Sequence, residues 1–149
     1  MAQLVLPNDT NTLGNVLGGT VMHWIDMVAA ITAHRHARRI VVTASIDDLS
    51  FEAPIRMGQL ALLSARVCHT SRTSMEIRVD VDAEDLDTGG RRHTSTAFLT
   101  FVALDEAGTP TPVPPLRVPP EGEAEYEQAR VRRRDRLARR AARDAHPAA

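Results

Sequence analysis

The chain has one cysteine, Cys68, and not one lysine. A single thiol excludes an internal disulfide, and with it the stapled scaffold of a small secreted domain. Aromatic residues are equally scarce at 3%, namely Trp24, Phe51, Phe98, Phe101 and Tyr126. The core must therefore come from Val, Leu, Ile and Ala. No apolar run is long enough to cross a bilayer, and Met1–Pro7 is too short for a signal peptide, so a reducing, cytoplasmic setting is the expectation. Net charge is −1 over 149 residues, which argues against a protein dedicated to nucleic acid. Every basic side chain but histidine is arginine, a bias that reads as genome composition rather than function.

Charge is unevenly spread. Residues 1–120 hold 10 Arg against 13 acidic residues, whereas 121–149 hold 8 Arg against 6. Between them, Thr109–Pro120 carries six prolines, which exclude helix and central strand and read as an extended linker. This divides the chain into 1–108, a linker at 109–120 and a charged tail at 121–149. Glu121–Ala145 is rich in helix formers, acidic first and arginine last, as the helix dipole favours. It reads as a solvated helix lying along the domain. A nucleic-acid tail would want interleaved aromatics, which are absent.

The body predicts one helix and then only strands. Gly19 to about Arg38 carries Val21, Trp24, Ile25 and Val28 as one stripe, with Met22, Ala29, Ala30 and Ala33 over much of the rest, so it reads as a core helix buried on most sides. Strand-like segments follow at Ile40–Phe51, Gln59–Thr70, Ser74–Ala83 and Arg92–Leu104, with a short one at Gln3–Leu6 before the helix. In Ser74–Ala83 the alternation puts Met75, Ile77, Val79, Val81 and Ala83 inward and Glu76, Arg78, Asp80 and Asp82 outward. Short turns between consecutive strands imply an antiparallel sheet, hence an α+β fold with the sheet wrapped around the helix. One small sheet leaves the far side of that helix open, so a dimer is expected.

Candidate chemistry starts at Asp26, a carboxylate amid Trp24-Ile25-Asp26-Met27-Val28, which is either held by donors or used. The glycines Gly18-Gly19 feed the helix N-terminus, where backbone N–H groups meet negative charge, as an anion site, an oxyanion hole or a plain helix start. His23, one turn before Asp26, either orients that carboxylate or sits at an interface. His34 and His36 lack the companions of a metal site, no nucleophile elbow is present, and Cys68 lies within a strand with no activating partner. Ser71-Arg72-Thr73-Ser74 is a hairpin tip with one cation and three hydroxyls.

Together, Asn11-x-x-Gly14-Asn15-Val16-x-Gly18-Gly19, Asp26 seven positions on, Ile40–Ser45, Phe51–Gly58 and Thr70–Glu76 resemble a hot-dog-fold acyl-CoA thioesterase of the cytosolic acyl-CoA hydrolase and YciA-like branch. The resemblance spans roughly residues 3–140. It implies an antiparallel sheet of five or six strands around one long helix, and hydrolysis of acyl-CoA to a free acid and CoA without cofactor or metal. It also implies a site shared across a homodimer, with Asp26 of one subunit as general base or nucleophile facing Asn15 of the other. Gly19 N–H then serves the oxyanion, Asn11 is a further site residue, and Ser71, Arg72, Thr73 and Ser74 meet the CoA phosphates. Neither membrane nor nucleic acid is implied as a partner, and a hexamer, as a trimer of dimers, is expected. The chain departs from many relatives at Leu17 and Met27, where they carry His and Glu, and at Asn15, where YciA-type enzymes often carry Asp. With Asn there, Asp26 is the only carboxylate near the site. A hot-dog dehydratase would need a His facing an acid where this loop supplies Asn. The remaining alternative is a non-catalytic acyl-CoA sensor, which would not need Asp26.

Overall fold

The computed structural model describes residues 1–146; the last three residues of the expected tail, 147–149, lie outside them. In chain order the elements are β1 (Ala2–Leu4), α1 (Gly18–Ala37), β2 (Ile40–Phe51), β3 (Leu60–Thr70), β4 (Ser74–Glu84), β5 (Arg91–Leu104) and α2 (Glu123–Ala145). The five strands form one antiparallel sheet in the order β1-β3-β4-β5-β2. The sheet packs four of its strands, β2 to β5, against α1, as the α+β reading expected. β1 ends at Leu4 rather than at the expected Leu6; beyond it Val5 N–H donates to Gln59 O, Val5 O accepts from Gly58 N–H, and a 3-10 turn begins at Pro7.

The core follows the two periodicities. From α1 come Val21, Trp24, Ile25, Val28, Ala29, Ala33 and Ala37, spaced on one face, with alanines letting the helix approach the sheet. From the sheet come Met75, Ile77, Val79 and Val81 of β4 and Ala97, Leu99 and Phe101 of β5, all nearly inaccessible. Each large buried side chain of this kind contributes about 1.5–3 kcal/mol. The helix is not buried on most sides, however. Met22 and Ile31 stand 40% and 44% exposed, since the sheet covers only one flank and nothing among the described residues covers the other.

β2 is an edge strand. Its pairing with β5 slips between Thr43 and Ser45 and again between Asp47 and Ser50, and Asp48 at the second slip takes the left-handed conformation that bulges favour. Its other edge is unpaired and carries Ile40, Val42, Ile46 and Phe51 in exposed positions.

The proline-rich segment is a strap rather than a free linker. Val113 N–H donates to Arg72 O, Leu116 N–H to Thr70 Oγ1, and His36 Nε2 bonds Pro114 O at 2.8 Å. Prolines cannot donate, but their carbonyls accept, and the few non-proline residues supply the N–H groups. The strap leads α2 onto the sheet face opposite α1.

There α2 is docked through charge. Glu76, on the outward face as expected, is only 3% exposed, because Arg132 lies over it (Nη2–Oε1 2.7 Å) with Arg136 at 3.8 Å. The Arg132 guanidinium also covers the Phe98 ring at 3.9 Å, Tyr126 stacks on His69 at 4.8 Å, and Ala129 is fully buried. Glu125 bridges Arg66 and Arg78. The expected solvated helix thus lies along the domain, but its inner face is ion-paired to the sheet.

Two tests follow from this docking. Arg132→Ala leaves a buried carboxylate under-compensated and is expected to cost about 3 kcal/mol in urea unfolding, while Arg132→Leu combined with Glu76→Met costs less than that single change. Hydrogen bonding from Arg66 and the charge of that guanidinium, then hydrogen bonding from Arg78, outweigh desolvation and hold the Glu125 carboxyl below its usual range. Its contribution is therefore full above the unfolded carboxylate pKa of about 4.3 and is lost as pH falls through that value to the lower folded one. Thermal midpoints should drop less steeply in acid for Glu125→Gln than for wild type.

Candidate functional site

The loop before α1 is tied down from within. Asn11 Oδ1 accepts from Leu13 N–H at 2.9 Å and Asn15 N–H at 3.2 Å, and Asn11 N–H donates to Asn15 O. Gly14, at φ +75, closes the turn in a conformation that costs other residues energy. Val16 N–H donates to Ile55 O and Leu17 N–H to Asp9 O, each at 2.8 Å, which fixes where the helix begins. Among the described residues no side chain caps that helix, so the N–H groups of Gly18 and Gly19 carry the positive end of the dipole without an intrahelical acceptor.

Beside this helix start lies a cleft of about 370 Å3, lined by Asn15, Gly18, Val21, Phe51, Ile55 and Ser95 among others. Its walls are mainly apolar. Gly18 is closely approached: a Cβ there would sit 3.3 Å from the half-exposed Phe51 ring, which would have to shift slightly, whereas the same atom at Gly19 would meet nothing within 4 Å. The structure therefore joins Asn11 to Asn15 by hydrogen bonds and puts Asn15 on the cleft beside Gly18; Gly19 is the next residue of the helix, and neither it nor Asn11 lines the cleft.

Asp26 stands apart from them. Seven residues of helix separate it from Gly19, about 10 Å along the axis. It is half-buried rather than enclosed. Thr43 Oγ1 donates to Asp26 Oδ1 at 2.7 Å. Thr43 escapes a reading of the sequence: it sits one residue before the β2 slip, paired with Phe101, and only strand register brings it over the helix. His23 is exposed, and among the described residues no hydrogen bond joins it to Asp26.

Ser71–Ser74 lies at the other end of α1. The turn closes through Ser71 N–H to Ser74 O at 2.8 Å, and Arg72 and Thr73 carbonyls accept from Val113 and Ala103 N–H. Arg72 is exposed, and its guanidinium makes no ion pair among the described residues. Cys68 is no nucleophile: its buried thiol donates to Glu76 Oε1 at 3.1 Å, and burial, then the Glu76 charge, push its pKa far above the usual range. Among the described residues no cluster of His, Cys, Asp and Glu is arranged to hold a metal ion, and no helix is long and apolar enough to cross a membrane.

Residues 13–89 match the family described as the thioesterase superfamily. The chain is 47% identical over 121 residues to an uncharacterized acyl-CoA thioester hydrolase, YkhA, of Bacillus subtilis, covering 81% of this chain and 69% of that protein. Against the cytosolic acyl coenzyme A thioester hydrolase of Rattus norvegicus it is 40% identical but spans only 38% of that protein's length. Among solved structures, an apo-hexameric acyl-CoA thioesterase superposes with a TM-score of 0.90 at 46% identity, covering 95% of this chain and 91% of that one. An acyl-CoA hydrolase from Staphylococcus aureus, solved with butyryl-CoA, CoA and CoA disulfide, gives a TM-score of 0.90 at 36% identity over 97% of this chain and 89% of that one.

The loop geometry separates two roles of Asn11. Asn11→Ala removes the acceptor of two backbone N–H groups and is expected to lower stability by about 1–2 kcal/mol, whereas Asn11→Asp keeps the acceptor and the stability. Urea midpoints of the two variants read the difference.

Proposed function

Because the chain belongs to the thioesterase superfamily, we infer that it is an acyl-CoA thioester hydrolase, releasing a free carboxylic acid and CoA. The observation that carries the reading is Asp26 itself. One carboxylate oxygen accepts the Thr43 hydroxyl at 2.7 Å, and the half-exposed group keeps its second oxygen for a water molecule. A carboxylate so oriented is a general base. Asp26 takes the proton of that water as its oxygen adds to the thioester carbonyl. The carbonyl oxygen, now negative, accepts the Gly19 N–H at the start of a helix. The C–S bond then breaks, the acid leaves, and the CoA thiolate takes up a proton.

The two halves of this chemistry come from two protomers. Ten ångströms of rigid helix keep Asp26 from the Gly19 of its own chain, so the thioester lies between Asp26 of one protomer and the helix start of the partner. The unpaired edge of β2, with Ile40, Val42, Ile46 and Phe51 exposed, is the surface on which a second copy would extend the sheet. Further assembly into a hexamer is supported by the hexameric thioesterases among the similar structures.

Asn11 and Asn15 stand beside the helix start, Asn15 lining the cleft and Asn11 presenting its amide N–H2, since its oxygen is used within the loop. Variants of the S. aureus hydrolase have been solved with an Asn, an Asp and a Thr each replaced by Ala, and those positions are separated by 15 and 17 residues. The same three residue types stand here at the same spacing, as Asn11, Asp26 and Thr43. This favours Asn11 as the amide that orients water or thioester with Asp26, and makes Thr43 the positioning residue for the base. The exposed Arg72, with Ser71, Thr73 and Ser74, is placed to meet phosphates of CoA.

Release of free thiol across acyl-CoAs from acetyl to palmitoyl tests the proposal. Asp26→Asn should lose turnover by orders of magnitude while remaining assembled. Thr43→Val should lose about tenfold in kcat, the worth of one hydrogen bond to a charged group, and Thr43→Ser should recover it. Full turnover in Asp26→Asn would contradict the assignment of the base.

A further inference from the structure

We propose that a second cleft, between the C-terminal half of α2 and the outer face of the sheet, binds a phosphate-bearing small molecule. It measures about 790 Å3 and is separate from the cleft at the start of α1. The cleft exists because α2 is docked only along its first half, through Glu125, Tyr126, Ala129 and Arg132; beyond Arg136 its residues are exposed and the helix stands off the strands.

The wall of the cleft is arginine. Arg133, Arg136, Arg140 and Arg143 follow at intervals of three and four on one helix face, with Arg139 beside them. Asp47 and Asp144 are the carboxylates that share the lining. Arg136 is engaged by Asp47 at 3.5 Å, and Arg140 reaches Asp144 at 3.9 Å. Arg133, Arg139 and Arg143 have no carboxylate partner among the described residues, which leaves a surplus of positive charge facing a concave surface.

The floor supplies the second observation. Thr100 is only 6% exposed, yet its Oγ1 is buried without a hydrogen-bond partner. Ser45, its cross-strand neighbour, has an unpartnered Oγ too. Buried hydroxyls are almost always paired, so two on one floor point to a ligand that bonds them. Glu76, the neighbour of Thr100 on the other side, has its Oε1 held by Arg132, while its Oε2 has no hydrogen-bond partner and faces Arg136 at 3.8 Å.

Hydroxyl donors facing several guanidinium groups suit a phosphate monoester or a pyrophosphate, which accepts from both. No aromatic residue lines the cleft, so a nucleobase finds no stacking partner and the phosphate is what is recognised. Its source is either the phosphorylated end of CoA or an independent phosphorylated metabolite. Thr73 and Ser74, which line the cleft, belong to the turn assigned above to CoA, so the first source would deepen that reading and the second would go beyond it.

Calorimetric titration of the full chain with inorganic pyrophosphate and with adenosine 3′,5′-bisphosphate tests this. Wild type should bind saturably at one site per chain. Arg139→Ala with Arg143→Ala should weaken binding at least about tenfold, and Thr100→Val about threefold or more, while Arg134→Ala, 75% exposed on the same helix and outside the cleft, should leave it unchanged. The source is then read from KM in the double arginine variant. A rise for acyl-CoA relative to acyl-pantetheine identifies the phosphates of CoA, and lost pyrophosphate binding with that ratio unmoved identifies a separate ligand. Absence of saturable binding by wild type, or equal weakening in Arg134→Ala, would overturn the proposal. Pyrophosphate binding is read without turnover, so its failure is distinct from a failure of the hydrolase reading.

Discussion

A twenty-residue helix is a rigid rod, and it sets the distance between the groups that the proposed chemistry needs together. Gly19 sits at its positive end, where orphan N–H groups suit a developing oxyanion; Asp26 sits two turns on, where the dipole gives no help and a threonine hydroxyl holds the carboxylate instead. Nothing within the protomer can bend the rod to unite them. The same geometry leaves Met22 and Ile31 exposed, since one sheet covers only one flank of α1. An edge strand that bulges twice and carries apolar side chains outward belongs to the same incomplete object. On the proposed reading the protomer supplies half of a site and half of a sheet.

The outer face of the sheet is organised by a different interaction, the buried Glu76 carboxylate under Arg132. An acidic side chain on a strand is ordinarily solvated. Here the strap through Val113 and Leu116 delivers α2 over it, and the ion pair, the cation on Phe98 and the stacked Tyr126 dock the first half of that helix. Docking one half and not the other is what opens the arginine-lined cleft. Stability and a candidate ligand site thus come from the same helix by opposite means, one half neutralised and the other left charged.

Much of this was legible in the residues. Strict alternation from Met75 to Ala83 marks a strand with one buried face, and the stripe Val21-Trp24-Ile25-Val28 marks the helix it packs on. Both are periodic signals that survive without tertiary knowledge. Asp26 was visible as an anomaly because a carboxylate among apolar neighbours needs a reason. What escaped was tertiary. Thr43 meets Asp26 only through the register of β2, and Glu76 is buried only because a helix 56 residues away in sequence reaches back to it. The prolines of the strap were read for what they forbid, while their carbonyls and the intervening N–H groups do the attaching. The burial of α1 was overestimated, because composition cannot say which flank the sheet covers.

Subunit complementation addresses the shared site most directly. Asp26→Asn and Asn11→Ala chains, each inactive as a homo-oligomer, would be dissociated, mixed in equal amounts and reassembled, and acyl-CoA turnover followed. With Asp26 and the Asn11 loop contributed by different protomers, each mixed pair holds one site with both wild-type groups, so about a quarter of wild-type activity should return, by the statistics of a two-fold assembly. No recovery in a verified mixed assembly would contradict a site built across two protomers and place the chemistry within one.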